Sequence, residues 1–338
     1  MQFREFVPLS TLTTMRLGGL ARYVAEVSSR GDLQEAVAFA RERRLPWFVM
    51  GGGSNVVALG DFEGLIILNR IKGFDLLKQD DASATYQLGA GEIWDLAVER
   101  LAREGLSGIE AMSGIPGYTG ATPIQNVGAY GQEIADVLIE LEVYDTETDR
   151  FVTLTAESCG FSYRNSIFKN PGTRRYIICS LTLQLSKMPP EPPFYPSLEQ
   201  YFSDNAITVF TPQVVREAVI AIRAGKLPDS LEIASAGSFF KNPIVESSFA
   251  ERLINQYPNA PHWKLSDNKT KLAAGWLIEA AGLRSYQAHG LQIYPKNALV
   301  VTNISAQSAD DLVKFRTDII RKIQDKFGIT LEQEPEEI

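Results

Sequence analysis

Residues 113–131 read SGIPGYTGATPIQNVGAYG, and this glycine-rich segment sets the architecture of the chain. Five of its residues are glycines, which tolerate positive φ and let backbone N–H groups approach a ligand closely. Pro116 and Pro123 stiffen the backbone, and the segment contains no Asp, Glu, Lys or Arg. Such a segment suits a planar cofactor with a pyrophosphate better than a metal ion, so no metal site is predicted. The alternative is an irregular surface loop, but loops of this length are usually functional or disordered.

Composition narrows the class of protein. The chain has 338 residues, enough for two or three domains, with 45% hydrophobic and 22% charged residues as in ordinary globular proteins. A net charge of −8 argues against nucleic acid or an anionic membrane as a partner. The N-terminus lacks the apolar core of a signal peptide, and no apolar run approaches the ~20 residues that span a bilayer. With only two cysteines as well, we expect a cytoplasmic protein without membrane insertion.

The first part of the chain predicts a βαβ unit that ends in a second glycine cluster. Residues 22–27 and 47–50 have strand patterns, and between them Asp32 precedes an amphipathic helix. Directly after the second strand come Gly51, Gly52, Gly53, Ser54 and Asn55. No helix pattern follows, so this is not a dinucleotide-binding Rossmann turn. It is interpreted as a backbone nest, with a plain tight turn as the alternative.

Further along, strands and helices mix without strict alternation, which predicts an α+β fold with more than one domain. Strands are expected at 86–88, 138–144, 151–154, 176–185 and 298–303, with 138–154 as a hairpin. Helices are expected at 92–104, after the capping Thr211, at 245–257, at 270–281 and before Gly328. The proline-rich residues 189–196 are predicted to be a semi-rigid connector.

Several stretches, taken together, resemble the UDP-N-acetylenolpyruvoylglucosamine reductase (MurB) family. They occur in the family's order over nearly the whole chain: TTMRLGG (13–19), GGGSNVV (51–57), the glycine-rich segment, FSYRNSIFK (161–169), RAGKLPD (223–229), AGSFFKNP (236–243) and KLAAGWLIEAAGL (271–283). The resemblance implies FAD on a vanillyl-alcohol-oxidase-like (PCMH-type) α+β fold with a third, substrate-binding lid domain. It also implies NADPH as reductant and UDP-N-acetylglucosamine enolpyruvate as substrate, in peptidoglycan synthesis and so in cell-wall growth, cell shape and division.

The resemblance divides the chain into residues 1–70 with 320–338, residues 71–200, and the substrate-binding residues 201–319. It implies that FAD is held by both glycine stretches, at Gly51, Gly52, Gly53, Ser54, Asn55, Gly114, Ile115, Pro116, Gly117, Gly120, Ala121, Thr122, Gln125, Asn126 and Gly128. Residues 194–198 resemble the tyrosine loop of one class of the family, which swings over the substrate. Expected substrate contacts are Tyr163, Tyr195, Lys226, Asn242 and Asn297.

The implied reaction places negative charge on the carbon next to the substrate carboxylate, so it needs a cation and a proton donor. Arg164 suits the carboxylate, because its planar fork binds two oxygens and stays charged; the alternative is a surface ion pair. Ser238 matches the family's catalytic serine and is assigned the proton, although a turn serine is the commoner role.

The C-terminal tail departs from the family's pattern, in which a catalytic Glu precedes an apolar and a basic residue. Here the tail reads LEQEPEEI (331–338). Glu334 takes the matching place and is assigned a role at the substrate carboxylate, with Glu332 and Glu336 as alternatives. An ordinary acidic tail is a further alternative.

Two other functions remain open from the sequence. One is another flavin oxidase or dehydrogenase of the same fold, although no His or Cys lies in the two glycine stretches to tether a flavin. The other is an inactive flavin-binding module, against which Arg164 and Ser238 argue.

Overall fold

The structure is a computed structural model, and it describes residues 1–169, 175–229 and 231–338. The chain divides into two compact units. The first unit comprises Met1–Phe6, Ala21–Gly52 and Glu63–Gly225, and the second comprises Val7–Leu20, Gly53–Phe62 and Lys226–Ile338. The three-part division expected from the family stays a prediction.

The described strands and helices have the following bounds. The strands are β1 Phe3–Pro8, β2 Leu20–Val27, β3 Trp47–Met50, β4 Val56–Val57, β5 Phe62–Asn69, β6 Phe74–Gln79, β7 Ser83–Gly89, β8 Gly128–Ala129, β9 Gln132–Glu133, β10 Leu138–Asp145, β11 Arg150–Thr155, β12 Tyr176–Ser186, β13 Ala234–Ser238, β14 Ile244–Glu246, β15 His262–Lys264, β16 Lys269–Leu272, β17 Gln287–Ala288, β18 Leu291–Ile293, β19 Val300–Asn303 and β20 Glu336–Glu337. The α-helices are α1 Arg30–Glu42, α2 Trp94–Arg103, α3 Pro196–Asp204, α4 Pro212–Lys226, α5 Ser247–Gln256, α6 Ala274–Ala280 and α7 Ala309–Phe327.

The predicted βαβ unit is present near the N-terminus. Strands β2 and β3 belong to one four-stranded sheet in the order β1-β2-β5-β3, in which β3 and β5 run parallel. Helix α1 begins at the cap Ser29, whose side chain accepts a hydrogen bond from the Asp32 N–H. Its buried Leu33, Ala36, Val37 and Ala40 share a core with residues of β2 and β5. The apolar period of 3.6 residues therefore placed this helix correctly.

A five-stranded sheet in the order β11-β10-β12-β7-β6 forms the other layer of the first unit. Strands β10 and β11 pair antiparallel from Glu140↔Thr155 to Asp145↔Arg150, which confirms the predicted hairpin. The buried face of the five-stranded sheet packs against α2 through Trp94, Val98 and Leu101.

Helices α3 and α4 share a smaller apolar cluster with Ala111. Thr211 caps α4 as predicted, since its hydroxyl accepts from the Val214 N–H at 3.2 Å. Helix α3 was not predicted, because residues 189–196 were interpreted as a connector and residues 194–198 as a loop. The prolines end at Pro196, which occupies the first position of α3, where a missing N–H costs nothing.

The second unit contains sheets in the orders β13-β19-β18-β17 and β14-β16-β15, and β20 pairs parallel with β4. Helix α7 contributes Leu312, Phe315, Ile319, Ile323 and Phe327 to its core and ends at Gly328 in the left-handed region, as predicted.

The predicted helix at 270–281 was wrong in its first turn. Lys269–Leu272 is strand β16, in which Thr270 and Leu272 are buried and alternate with half-buried residues. Pairing with β14 and β15 on both sides fixes this strand, and the helix begins only at Ala274. Tertiary pairing overrode an ambiguous apolar pattern.

Candidate active site

The two glycine stretches meet within the first unit at Gly51 and Gly52. A Cβ added to Gly52 would lie 3.1 Å from the Gly117 Cα, and one added to Gly51 would lie 3.6 Å from the Ala121 Cβ. The backbones therefore approach so closely on the Gly52 side that a Cβ there would require its neighbour to shift. Strand β3 ends at Met50, so this contact sits where the strand leaves its sheet, and the backbone-nest interpretation stays a prediction.

Hydrogen bonds fix the path of the glycine-rich segment. The Gly117 carbonyl accepts from the Trp94 N–H at 3.1 Å, and the Gly120 N–H donates to the Ala90 carbonyl at 2.9 Å. A Cβ on Gly120 would lie 2.6 Å from the Ala90 Cβ, so this glycine is required by close packing. The segment is a well-defined turn structure rather than an irregular loop.

Some polar side chains of the segment serve its own fold. The buried Thr122 hydroxyl donates to the Thr119 carbonyl at 2.7 Å. The buried Asn126 side chain accepts from the Ala135 N–H at 3.1 Å and donates to the Ser162 carbonyl at 3.4 Å. These contacts explain both residue types as supports of the turn, while their place in the cofactor site stays a prediction.

Arg164 lies against the end of the glycine-rich segment. Its guanidinium donates to the Gly128 carbonyl at 2.7 Å and to the Asn126 carbonyl at 3.5 Å, and lies 5.5 Å from the ring centre of Tyr163. Its backbone has φ 53°, which is uncommon for a residue with a side chain. Arg164 is half-buried and contacts the backbone of the glycine-rich segment, while its role at the substrate carboxylate stays a prediction.

Arg70 is a neighbour of both glycine stretches that sequence reasoning passed over. Its guanidinium donates to the Gly51 carbonyl at 3.2 Å and lies 4.3 Å from the centre of the Tyr118 ring. The sequence contained one indication: an arginine directly after the buried strand β5, whose end lies beside that of its parallel neighbour β3.

In the second unit, Gly53 packs against the TTMRLGG stretch. Its φ is 64°, a Cβ there would lie 2.0 Å from the Leu12 carbonyl oxygen, and its own carbonyl accepts from the Thr14 N–H at 3.1 Å. The neighbouring Thr13 hydroxyl is buried and has no hydrogen-bond partner among residues 1–169, 175–229 and 231–338. Ser54 and Asn55 follow, and the Asn55 carbonyl accepts from the Glu336 N–H at 2.9 Å.

Ser238 and Glu334 lie on two stretches of backbone that are hydrogen-bonded to each other in the second unit. Ser238 ends β13 beside Gly237, which has φ 73°, and an irregularity in the pairing with β19 falls between Ser235 and Ser238. The Glu334 N–H donates to the Phe239 carbonyl at 2.9 Å, so the tail lies beside the residue that follows Ser238.

The tail carboxylates differ in their surroundings. Glu334 is 9% exposed, whereas the exposed Glu332 forms an ion pair with Lys241 at 3.0 Å. Glu336 belongs to β20, next to β4. Of these three carboxylates, Glu334 is therefore the most buried.

The expected substrate contacts are distributed over both units. Tyr195, in the first unit, is 40% exposed, and its ring meets that of Tyr130 edge-on at 5.8 Å. It is the N-cap residue of α3, and its carbonyl accepts the first hydrogen bonds of that helix. Both tyrosines line a cavity of about 330 Å³. In the second unit, the Asn242 and Asn297 side chains accept from the N–H groups of Ala274 and Leu299, at 2.9 and 3.0 Å. Lys226 is exposed at the end of α4.

Two family models match this chain. Residues 21–155 match the family model described as FAD binding domain, and residues 229–338 match UDP-N-acetylenolpyruvoylglucosamine reductase, C-terminal domain. The chain is 40% identical to a UDP-N-acetylenolpyruvoylglucosamine reductase of Ralstonia nicotianae over 97% of both chains. It is also 40% identical to one of Cupriavidus pinatubonensis over 98% of both. The chain belongs to the UDP-N-acetylenolpyruvoylglucosamine reductase family.

A solved structure of this reductase family shares the fold. The Thermus caldophilus UDP-N-acetylenolpyruvylglucosamine reductase superposes with a TM-score of 0.69 at 26% identity over 99% of both chains. The predicted α+β FAD-binding fold and the family resemblance are therefore confirmed. The chain is an enzyme, an FAD-dependent oxidoreductase of this reductase family.

Both cysteines of the chain are buried. Burial raises the pKa of Cys159 to about 11 and of Cys179 to about 12, so neither offers a thiolate at neutral pH. Within the part of the chain that the structure describes, no helix has the length and apolar character needed to cross a bilayer.

Proposed function

We propose that this chain reduces UDP-N-acetylglucosamine enolpyruvate to UDP-N-acetylmuramate with NADPH, in cytoplasmic synthesis of peptidoglycan precursors. The names of its relatives support the substrate. The observation that carries the proposal is the contact of Gly51 and Gly52 with Gly117 and Ala121, inside the region that matches the FAD-binding model.

The residues present fit FAD. Gly51, Gly52 and Gly117 have no side chains at the contact between the two turns, so backbone N–H groups there can approach a flat ring and a diphosphate closely. We assign the cofactor to residues 51–55 and to residues 114–117, 120–122, 125, 126 and 128. When bound, FAD supplies a two-electron carrier between NADPH and the substrate alkene.

Arg164 is proposed to bind the substrate carboxylate. Its hydrogen bonds to Gly128 and Asn126 hold the guanidinium against the glycine-rich segment, which reduces the entropy lost on binding. The charge cannot be removed by deprotonation, so it stabilises negative charge as that charge spreads into the carboxylate.

Ser238 is proposed to give its Oγ proton to the carbon that bears the negative charge. It lies half-buried at the end of β13. Glu334, buried beside Phe239, is proposed to hydrogen-bond the substrate carboxylate. Tyr163, Tyr195, Lys226, Asn242 and Asn297 are proposed to contact the rest of the substrate, with residues 201–319 as the substrate-binding part.

The test measures the two half-reactions separately in an anaerobic stopped-flow instrument. The purified protein should show a flavin spectrum that NADPH bleaches and that the enolpyruvyl sugar nucleotide restores. Recovery with oxygen but not with this nucleotide would indicate an oxidase, and no bleaching by NADPH would indicate an inactive module. Ser238→Ala should bleach normally and recover slowly; a variant that loses FAD instead would make Ser238 structural.

A further inference from the structure

Gly114, the first glycine of the glycine-rich segment, is held by charged side chains at both of its backbone polar groups. Its N–H donates to Asp95 Oδ1 at 2.6 Å, and its carbonyl accepts from Arg223 Nη2 at 3.0 Å. Gly117 and Gly120, by contrast, use backbone partners. Hydrogen bonds with an ionised partner are roughly twice as strong as neutral ones, so this peptide is held more firmly.

Of the two side chains that hold Gly114, Asp95 is itself held by an ion pair, and Arg223 projects from an anchored helix. Asp95 forms a two-pronged ion pair with Arg216, at 2.5 and 3.0 Å, and the two side chains are only 31% and 12% exposed. Arg216 and Arg223 are seven residues apart, about two turns, so they project from the same face of α4. Burial of Val215, Ala218 and Val219 anchors that helix.

The charges of this group are stable near neutral pH. Burial favours a raised pKa for Asp95, but hydrogen bonds from Arg216 and the Gly114 N–H outweigh it, so its pKa lies below the usual value. Burial lowers the pKa of Arg223, and arginine nevertheless stays protonated. Arg223 also interacts electrostatically with Tyr130, near the other end of the segment.

Asp95, Arg216 and Arg223 thus form a clamp on the backbone of Gly114. The space around Gly114 agrees with this clamp. Its φ is 68°, and an added Cβ would lie 2.9 Å from the Ile220 Cδ1 and 3.1 Å from the Arg223 Nε. The backbone conformation of residue 114 favours glycine, and a side chain there would press against the ends of the Ile220 and Arg223 side chains of helix α4.

We propose that Asp95, Arg216 and Arg223 are positioning residues for FAD, which hold the Gly114 peptide so that residues 114–128 are already shaped for the cofactor before it binds. This inference rests on the proposed placement of FAD along the segment. None of the three residues is assigned a contact with FAD. Their effect is to lower the entropy that the segment loses when the cofactor binds.

The experiment measures the rate of FAD release from the holoenzyme on dilution, followed by flavin fluorescence, together with the melting temperature. Arg223→Met should release FAD about tenfold to a hundredfold faster, as expected for losing a hydrogen bond from a charged group. Arg223→Lys should be intermediate, since its ammonium still donates to the Gly114 carbonyl. Asp95→Asn breaks the pair with Arg216 and should also speed release.

The matched control is Asp145→Asn, which breaks another two-pronged pair of the first unit, with Arg175 at 2.5 Å on both contacts. It should lower the melting temperature without the faster FAD release of the clamp variants. Equal release rates in wild type, Arg223→Met and Asp95→Asn would overturn the clamp, as would equally fast release in Asp145→Asn. If Arg223→Met does not fold, Asp95→Asn and Arg223→Lys decide.

Gly52→Ala separates this inference from the placement of FAD. Fast release in Gly52→Ala with unchanged release in Arg223→Met would refute the clamp alone. Unchanged release in Gly52→Ala would refute the placement of FAD on these turns.

Discussion

Single residues of this protein adopt costly conformations where the cofactor and substrate are expected. Arg164 and Asn126 have φ values of 53° and 46°, although neither is glycine. Arg164 and the backbone carbonyls of Asn126 and Gly128 hold one another in place, which offsets part of that cost. Strained residues of this kind cluster at functional sites.

Arg164→Ala tests the role of this side chain. We expect recovery of the flavin spectrum by the enolpyruvyl nucleotide to slow by about a hundredfold, because a charge-assisted contact to the carboxylate is lost. Bleaching by NADPH should change little. Both rates come from the same stopped-flow traces, and FAD content is checked first. Equal slowing of both half-reactions would point to a damaged cofactor site rather than a lost carboxylate contact.

At the scale of elements, the turn at residues 119–121 is built on the end of β7. Gly120 donates to the Ala90 carbonyl, and the Thr119 hydroxyl donates to the Gly89 carbonyl. These hydrogen bonds attach the backbone of the glycine-rich segment to the five-stranded sheet. The position of this turn therefore depends on the sheet.

Gly120→Ala should lower both stability and FAD retention, because the new Cβ would lie 2.6 Å from the Ala90 Cβ and 3.1 Å from that residue's backbone. Such overpacking typically costs ~1–3 kcal/mol. Gly225→Ala is the matched control: it lies in helix α4 with nothing within 4 Å of its Cβ position, and should be neutral or stabilising by up to ~1 kcal/mol. Thermal melts and FAD release rates distinguish the two; identical behaviour would contradict the packing argument.

At the scale of the whole molecule, the second unit is assembled from separate parts of the sequence. Met15, Leu17 and Val57 from its N-terminal parts are buried with Phe239, Ile278 and Phe315 from its C-terminal part. A cut after Gly225 therefore leaves apolar residues without their core.

We expect a fragment of residues 1–225 to aggregate or to bind an apolar dye strongly, because these side chains of residues 7–20 and 53–62 become exposed. The full chain expressed in parallel is the control, and sedimentation with dye fluorescence is the measurement. A soluble, monomeric fragment with native-like melting would show that residues 7–20 and 53–62 do not need the C-terminal part.

The stability of the folded chain in acid depends in part on the ion pair of Asp145 with Arg175. The hydrogen bonds from Arg175 hold the pKa of Asp145 well below its usual value. A carboxyl with a lowered native pKa stabilises the fold above its unfolded pKa, about 4, and this contribution disappears as the pH falls through the native pKa. The urea midpoints of wild type and Asp145→Asn should therefore differ most at neutral pH and converge in acid. A difference that grows on acidification would contradict this sign.

Local patterns in the sequence determined much of this protein. The helical period placed α1 and α7, turn residues marked the hairpin of β10 and β11, and Thr211 with Pro212 marked the start of α4. These features depend on neighbours in the chain, so they are readable without a fold. The motifs were specific enough to indicate the family, because many short stretches occur in the same order.

Only the tertiary structure decided the features that depend on residues far apart in the chain. The strand at Lys269–Leu272 is fixed by its partners β14 and β15, and the Glu334 N–H donates to the carbonyl of Phe239, which is distant in the chain. The contacts of Arg70 with Gly51 and of Asp95 and Arg223 with Gly114 join residues separated by 19 to 109 positions. No local propensity encodes such pairings, since their free energy comes from burial and hydrogen bonding that exist only once the chain has folded.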